Sequence, residues 1–85
     1  MPMTTKIAAE KVREAADKWE KTETDNEELK ETYVLDAQDL RVLSHIIDRG
    51  DLRNAIYLAS TLDTVVRDAI PGDVWEWLME NKSNS

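Results

Sequence analysis

The chain contains no cysteine and no phenylalanine, and only two glycines and two prolines in 85 residues. The lack of cysteine excludes a disulfide framework, a thiolate metal site and a cysteine nucleophile. Two isolated glycines cannot form a glycine-rich phosphate-binding loop. No apolar run approaches the roughly 18–20 residues that cross a bilayer, and the N-terminus lacks the apolar segment of a secretory signal. We therefore expect a cytoplasmic protein without a membrane partner.

Positive charge is also scarce, since 18 acidic residues stand against 11 basic ones and give a formal charge of -7. This balance argues against direct nucleic-acid binding, which requires Lys and Arg to displace counterions from phosphates. Residues 22–31 hold five acids and one lysine, and residues 63–85 hold five acids and two bases. These acids either only keep the surface solvated or attract a basic partner over a long range.

Apolar residues recur at helical spacing along most of the chain. A first helix is predicted over residues 5–21, a second from the N-cap Asp36 to Gly50, and a third over residues 52–69. Pro71 ends the third helix and begins a short C-terminal one. The sequence thus predicts one all-α domain, a small bundle of three main helices plus a short C-terminal helix. Residues 22–31 form its acidic connector and residues 81–85 a frayed tail.

Residues that carry chemistry are few. The single histidine, His45, is predicted to point away from the apolar stripe of its helix, with no partner group for general-base catalysis. Asp36 and Asp39 lie one turn apart, but they fit helix-capping positions, and no cation-binding loop pattern is present. We therefore expect no enzyme, no catalytic residue, no metal and no cofactor.

Aromatic residues suggest an interaction surface instead. Trp75 and Trp77 are about 200° apart on a helix, so both cannot face the same core unless the helix lies in a groove that covers both rings. Otherwise one ring is an exposed anchor for a partner. Tyr57 lies on the polar side of the third helix. The acids expected to steer a partner are Glu23, Asp25, Glu27, Glu28 and Glu31, and the residues expected to contact it are Tyr57, Asp73, Trp75, Glu76 and Trp77.

Part of the chain is similar to a known family. The residues that carry the similarity are Tyr33-x-Leu35, Asp39-Leu40, Asp48-Arg49 and Ile70-Pro71-x-x-Val74-Trp75-x-Trp77-Leu78. Over about residues 33–78 the chain resembles the Hha/YmoA family of small bacterial nucleoid-associated modulators. It departs from that pattern where Gly50 follows Asp48-Arg49. The resemblance implies a co-regulator that does not bind DNA itself and docks on a DNA-binding protein of the H-NS type.

The sequence predicts a non-enzymatic acidic helical protein of bacterial or phage type that acts as a regulator or inhibitor. Its expected partner is a protein with a basic, nucleic-acid-binding surface, and a DNA mimic belongs to the same class. One alternative is the co-regulator that the resemblance implies. Another is a self-associating structural or ligand-sequestering protein, in which the alanine-rich first helix and the third helix pair between subunits.

Overall fold

A computed structural model describes residues 2–83, and this range is all-α, with no β-strand within it. The helices are α1 (Thr5–Glu20), α2 (Glu27–Asp48), α3 (Leu52–Thr61), α4 (Thr64–Ala69) and α5 (Gly72–Ser83). The predicted fold class is confirmed. The predicted layout needs correction, because the second helix begins earlier than expected and the third is divided in two.

The alanine-rich helix α1 is the one whose bounds agree best with its sequence pattern. The Thr4 side chain caps it by accepting a hydrogen bond from the N–H of Ile7 at 3.2 Å. Its apolar stripe is fully buried and consists of Ala8, Ala9, Val12 and Ala16. Small side chains let two helices approach closely, and α1 lies against α2 in the most extensive helix–helix contact of the fold.

Helix α2 begins at Glu27 with Asn26 as its N-cap, ten residues before the N-cap predicted at Asp36. Asn26 is the true cap, since its side chain accepts the N–H groups of Glu28 and Leu29. Acidic residues in the first turn also favour a start here, because they face the positive end of the helix dipole. Asp36 lies inside the helix. The acidic connector therefore shortens to residues 21–26.

Gly50 ends α2 as predicted, in a left-handed conformation with φ of 80°. The N–H of Gly50 donates to the carbonyl of Ile47 at 2.9 Å, and that of Asp51 donates to Ile46 at 3.2 Å. These two bonds form a Schellman motif and satisfy carbonyls that the helix end leaves open. The Asp51 carboxylate then caps α3 by accepting the N–H of Asn54.

We expect Gly50→Ala to lower the free energy of unfolding by about 1–2 kcal/mol, because a Cβ is strained at positive φ. Gly72→Ala is the matched control, since a Cβ would meet open space at both glycines and only Gly50 has a positive φ. Urea denaturation followed by circular dichroism measures both variants. Equal stability of the two variants would contradict a strained turn at Gly50.

The predicted third helix is broken between α3 and α4. Leu62 and Asp63 adopt extended backbone, each with ψ of 149°. The Arg67 guanidinium donates to the Leu62 carbonyl at 3.1 Å, so an α4 side chain satisfies a backbone group at the break. Leu62 and Val66 are both buried. The break therefore changes the direction of the chain while α3 and α4 both remain packed against the core.

Helix α5 closes the fold by packing against α3 and α1. Val74 and Leu78, one turn apart, are fully buried. The helix includes Asn81–Ser83, which corrects part of the predicted frayed tail, and residues 84 and 85 of that tail lie outside the described range. Buried apolar residues from all five helices, together with Leu62 and Ile70 between helices, form the core: Ala8, Ala9, Val12, Ala16, Ala37, Leu40, Leu43, Ile47, Ala55, Ile56, Ala59, Leu62, Val66, Ile70, Val74 and Leu78.

Candidate interaction surface

The first two turns of α2 project beyond the end of α1. Trp19, in the last turn of α1, meets Tyr33 edge to face with ring centroids 5.4 Å apart, and its Nε1 donates to Asp36 at 3.3 Å. The end of α1 is thus level with residues 33–36. Residues 27–32 extend past it by about 9 Å of helix, and all six are exposed.

Acidic side chains are concentrated on this projection and on the connector residues that precede it. We name residues 22–32 the acidic end. The five acids predicted to steer a partner are all exposed and all lie here: Glu23, Asp25, Glu27, Glu28 and Glu31. Within residues 2–83, the recorded ion pairs join Arg41 to Asp17 and Glu20, and Lys11 to Asp73. None of them involves the five acids, so the charge of the acidic end is directed into solvent.

The nearest arginine on α2 is already engaged by α1. Arg41 donates to Glu20 and, at 3.0 Å, to Asp17. These hydrogen bonds, chiefly the one that Arg41 donates to Glu20, raise the pKa of Arg41 above its usual value. The guanidinium therefore neutralises Asp17 and Glu20 of α1, and the acidic end retains five carboxylates against the single cation Lys30.

Exposed apolar side chains lie on the same helix, and the sequence analysis did not identify them as candidates. Leu29 is 44% exposed, Leu35 60% and Val42 52%. A surface hollow of about 410 Å³, with an almost wholly apolar lining, lies between Lys30, Glu31, Val34 and Leu35. The available signal was the seven-residue spacing of Leu35 and Val42 on the side of α2 opposite its buried stripe.

The candidates on α5 form a group of their own. Trp75 and Trp77 are both half-buried and both pack against the core, so the structure does not single out one of them as an exposed anchor. The Arg67 guanidinium lies 5.8 Å from the centre of the Trp75 ring, in cation–π geometry. Glu76 is exposed. The tryptophans thus contribute to stability as well as to the surface.

Asp73 is paired rather than available. It accepts a hydrogen bond from Lys11, and this contact lowers the pKa of Asp73 below its ordinary value. Lys11 precedes the last residue of α1, Glu20, by nine positions, or about 14 Å of helix. The pair therefore attaches the start of α5 to the middle of α1, away from the acidic end.

Tyr57 is 72% exposed, in agreement with its predicted place on the polar side of the third helix. It lines a hollow of about 350 Å³ between α3 and α5 together with Arg53 and Lys82. Within residues 2–83, none of the five acids lines this hollow. The structure therefore does not bring Tyr57 together with them.

Other chemistry has little support in the described part of the chain. His45 is exposed, as predicted, and lines a shallow hollow with Asp48 and Arg13. Within residues 2–83 no three His, Asp or Glu side chains lie close enough together to hold a metal ion. Over the same range, no helix has the length and apolar character that a membrane span requires.

Comparison with models of protein families, with curated proteins and with solved structures finds no match to this chain. The resemblance to the Hha/YmoA family over residues 33–78 accordingly stays a prediction. The proposed function therefore rests on the geometry of the surface.

Proposed function

We propose that this chain is a non-enzymatic interaction protein, a regulator or inhibitor, that binds a protein with a basic surface through its acidic end. One observation carries the proposal: five exposed carboxylates, none of them ion-paired within residues 2–83, lie close together in sequence on the connector (Glu23 and Asp25) and on the projecting first turns of α2 (Glu27, Glu28 and Glu31). Unpaired charge of one sign steers a partner of opposite charge and accelerates encounter.

The apolar side chains beside these acids favour the proposal that the partner is a protein. Charge alone gives speed and specificity of encounter, whereas desolvated apolar contacts hold a complex together. Leu35 and Val34 lie directly after the acidic end and line the hollow of about 410 Å³. A basic surface that normally receives phosphates offers cations spaced for carboxylates, so we infer that the partner is a nucleic-acid-binding protein.

The co-regulator implied by the Hha/YmoA resemblance falls within this proposal, since it too would dock on a DNA-binding protein. Self-association through the first and third helices stays an alternative. The burial of the α1 stripe, Ala8, Ala9, Val12 and Ala16, favours the interaction protein over it, because these side chains already pack within the fold.

The test compares two variants of equal net charge. Glu27→Gln/Glu28→Gln/Glu31→Gln removes three charges from the acidic end, and Glu10→Gln/Glu14→Gln/Glu80→Gln removes three exposed ones elsewhere. Each exposed ion pair contributes about 0.2–1 kcal/mol, so we expect the first variant to bind its partner about tenfold more weakly. The partner is recovered from the organism that encodes the chain and titrated by calorimetry at about 0.05 and 0.5 M salt.

The control variant is expected to retain most of the affinity, and high salt is expected to weaken the wild-type complex. Equal losses in the two variants would show that only net charge matters and would overturn the acidic end as the site. A complex whose affinity does not change with salt, or recovery of no basic partner, would overturn the proposal itself.

A further inference from the structure

Helix α2 has a second face that no other helix of the described range covers. At about 100° per residue, Leu35 and Val42 lie about 20° apart around the helix and about 10.5 Å apart along it. Both are more than half exposed, and Leu40, at the centre of the buried stripe, points about 140–160° away from them. We name this outer face by the exposed residues Glu31, Leu35, Gln38 and Val42.

The shape of this face suits a helix. Lys30 with Val34, and Glu31 with Leu35, form two rows of i and i+4 neighbours, and the hollow of about 410 Å³ lies between these rows. A groove between such rows is where the side-chain ridge of a second helix inserts when two helices pack.

The charge of this face selects the kind of helix. The carboxylates at its edges are exposed and without ion pairs within residues 2–83, and they belong to Glu27, Glu28, Glu31 and Asp39. Lys30 is a lone cation among them, since Arg41 is held by Asp17 and Glu20. A second copy of α2 would bring like charges together, whereas lysine or arginine beside an apolar ridge would pair with these acids.

We infer that the outer face of α2 receives a basic amphipathic helix of the partner, with its apolar ridge on Leu35 and Val42 and its cations toward the acidic end. This inference rests on the proposed function and specifies how the partner is recognised. Recognition of this kind combines apolar anchors at helical spacing with complementary charge at the edges. The acids steer the partner, and the two apolar side chains hold it.

Two synthetic peptides of about 18 residues test the inference, a length of about 27 Å as a helix. Both contain the same leucines, lysines and arginines. In the patterned peptide the leucines recur at heptad spacing on one face, and in the scrambled peptide they are spread around the helix. Binding is measured by calorimetry at low salt, and helix formation by circular dichroism. We expect the wild-type chain to bind the patterned peptide about tenfold more tightly, with a gain of helix, since burial of one leucine is worth about that factor.

Substitution identifies the face that is used. Leu35→Gln/Val42→Gln is expected to abolish the tenfold preference while leaving the urea midpoint unchanged, because both side chains are already exposed. The control is Val65→Gln, since Val65 is 59% exposed but lies on α4. This control variant should keep the preference.

The outcomes separate the inference from the proposed function. If both peptides bind with equal affinity and strong salt dependence, the acidic surface stands and the helix-docking inference is overturned. An equal loss of preference in the Val65→Gln variant also overturns it. If neither peptide binds the wild-type chain, the proposed function is overturned as well.

Discussion

Leu43→Ala is expected to lower the free energy of unfolding by about 2–5 kcal/mol. Leu43 is fully buried in the apolar stripe of α2 and is among the largest fully buried side chains of the core. Truncation removes its packing contacts and leaves a cavity in a close-packed core that relaxes only in part. A domain of this size has a total stability of the order of 5–15 kcal/mol, so one substitution removes a large share. Urea denaturation followed by circular dichroism measures the loss.

The adjacent residue is the control for this experiment. Val42 is 52% exposed, and Val42→Ala is expected to change the stability by about 0.5 kcal/mol or less. The two positions share one helix and differ in the face they occupy. Similar losses at both positions would contradict the assignment of the buried face of α2, and with it the outer face proposed as a docking site.

Sequence reasoning located α1 correctly and the start of α2 incorrectly, for one physical reason. Apolar periodicity in a sequence indicates a helix through the residues that the helix buries. Helix α1 buries its apolar stripe along almost its whole length. None of residues 27–32, which form the start of α2, is buried, because α1 ends beside Tyr33. Propensity was the remaining signal, since glutamate, leucine and lysine are good helix formers and Asn26 is a good cap.

The break between α3 and α4 had a local signal that apolar periodicity concealed. Ser60 and Thr61 both turn their hydroxyl groups onto preceding carbonyls, those of Ile56 at 2.8 Å and Leu58 at 2.9 Å. Such side chains compete with the regular hydrogen bonding of a helix, and here they precede Asp63 and Thr64. The apolar residues on either side continue to face one core, so their spacing resembles that of one uninterrupted helix.

One part of the candidate site, the acidic end, could be predicted from the sequence, and the other part, the outer face of α2, could not. Composition identifies the five acids of the acidic end, because their concentration in ten residues is visible without a fold. The outer face of α2 is not visible in this way, since an exposed leucine is recognised only when the neighbouring helices are in place. Leu35 is recognised as a candidate because it stays exposed when α1 packs against α2. Trp75 is recognised as partly structural because the Arg67 guanidinium lies over its ring.

Arg67→Met is expected to lower the free energy of unfolding by about 2 kcal/mol. The guanidinium donates to the carbonyls of Leu62 at 3.1 Å and Ser60 at 3.4 Å, and it lies over the Trp75 ring. Hydrogen bonds from a charged group and a cation–π contact each stabilise by about 1 kcal/mol or more. Its Nε is buried without a hydrogen-bond partner in residues 2–83, and this cost offsets part of the gain.

Methionine replaces the apolar stem of the arginine without its charge. The decrease in the free energy of unfolding therefore measures the contribution of the guanidinium rather than that of packing. Arg67→Lys should recover part of the stability, since it restores a cation near Trp75 without the planar donors. The control is Arg53→Met, an exposed position on α3 that is expected to change stability by about 0.5 kcal/mol or less. Urea denaturation followed by tryptophan fluorescence measures all three variants. Wild-type stability in Arg67→Met would mean that burial of Leu62 and Val66 alone holds the bend between α3 and α4.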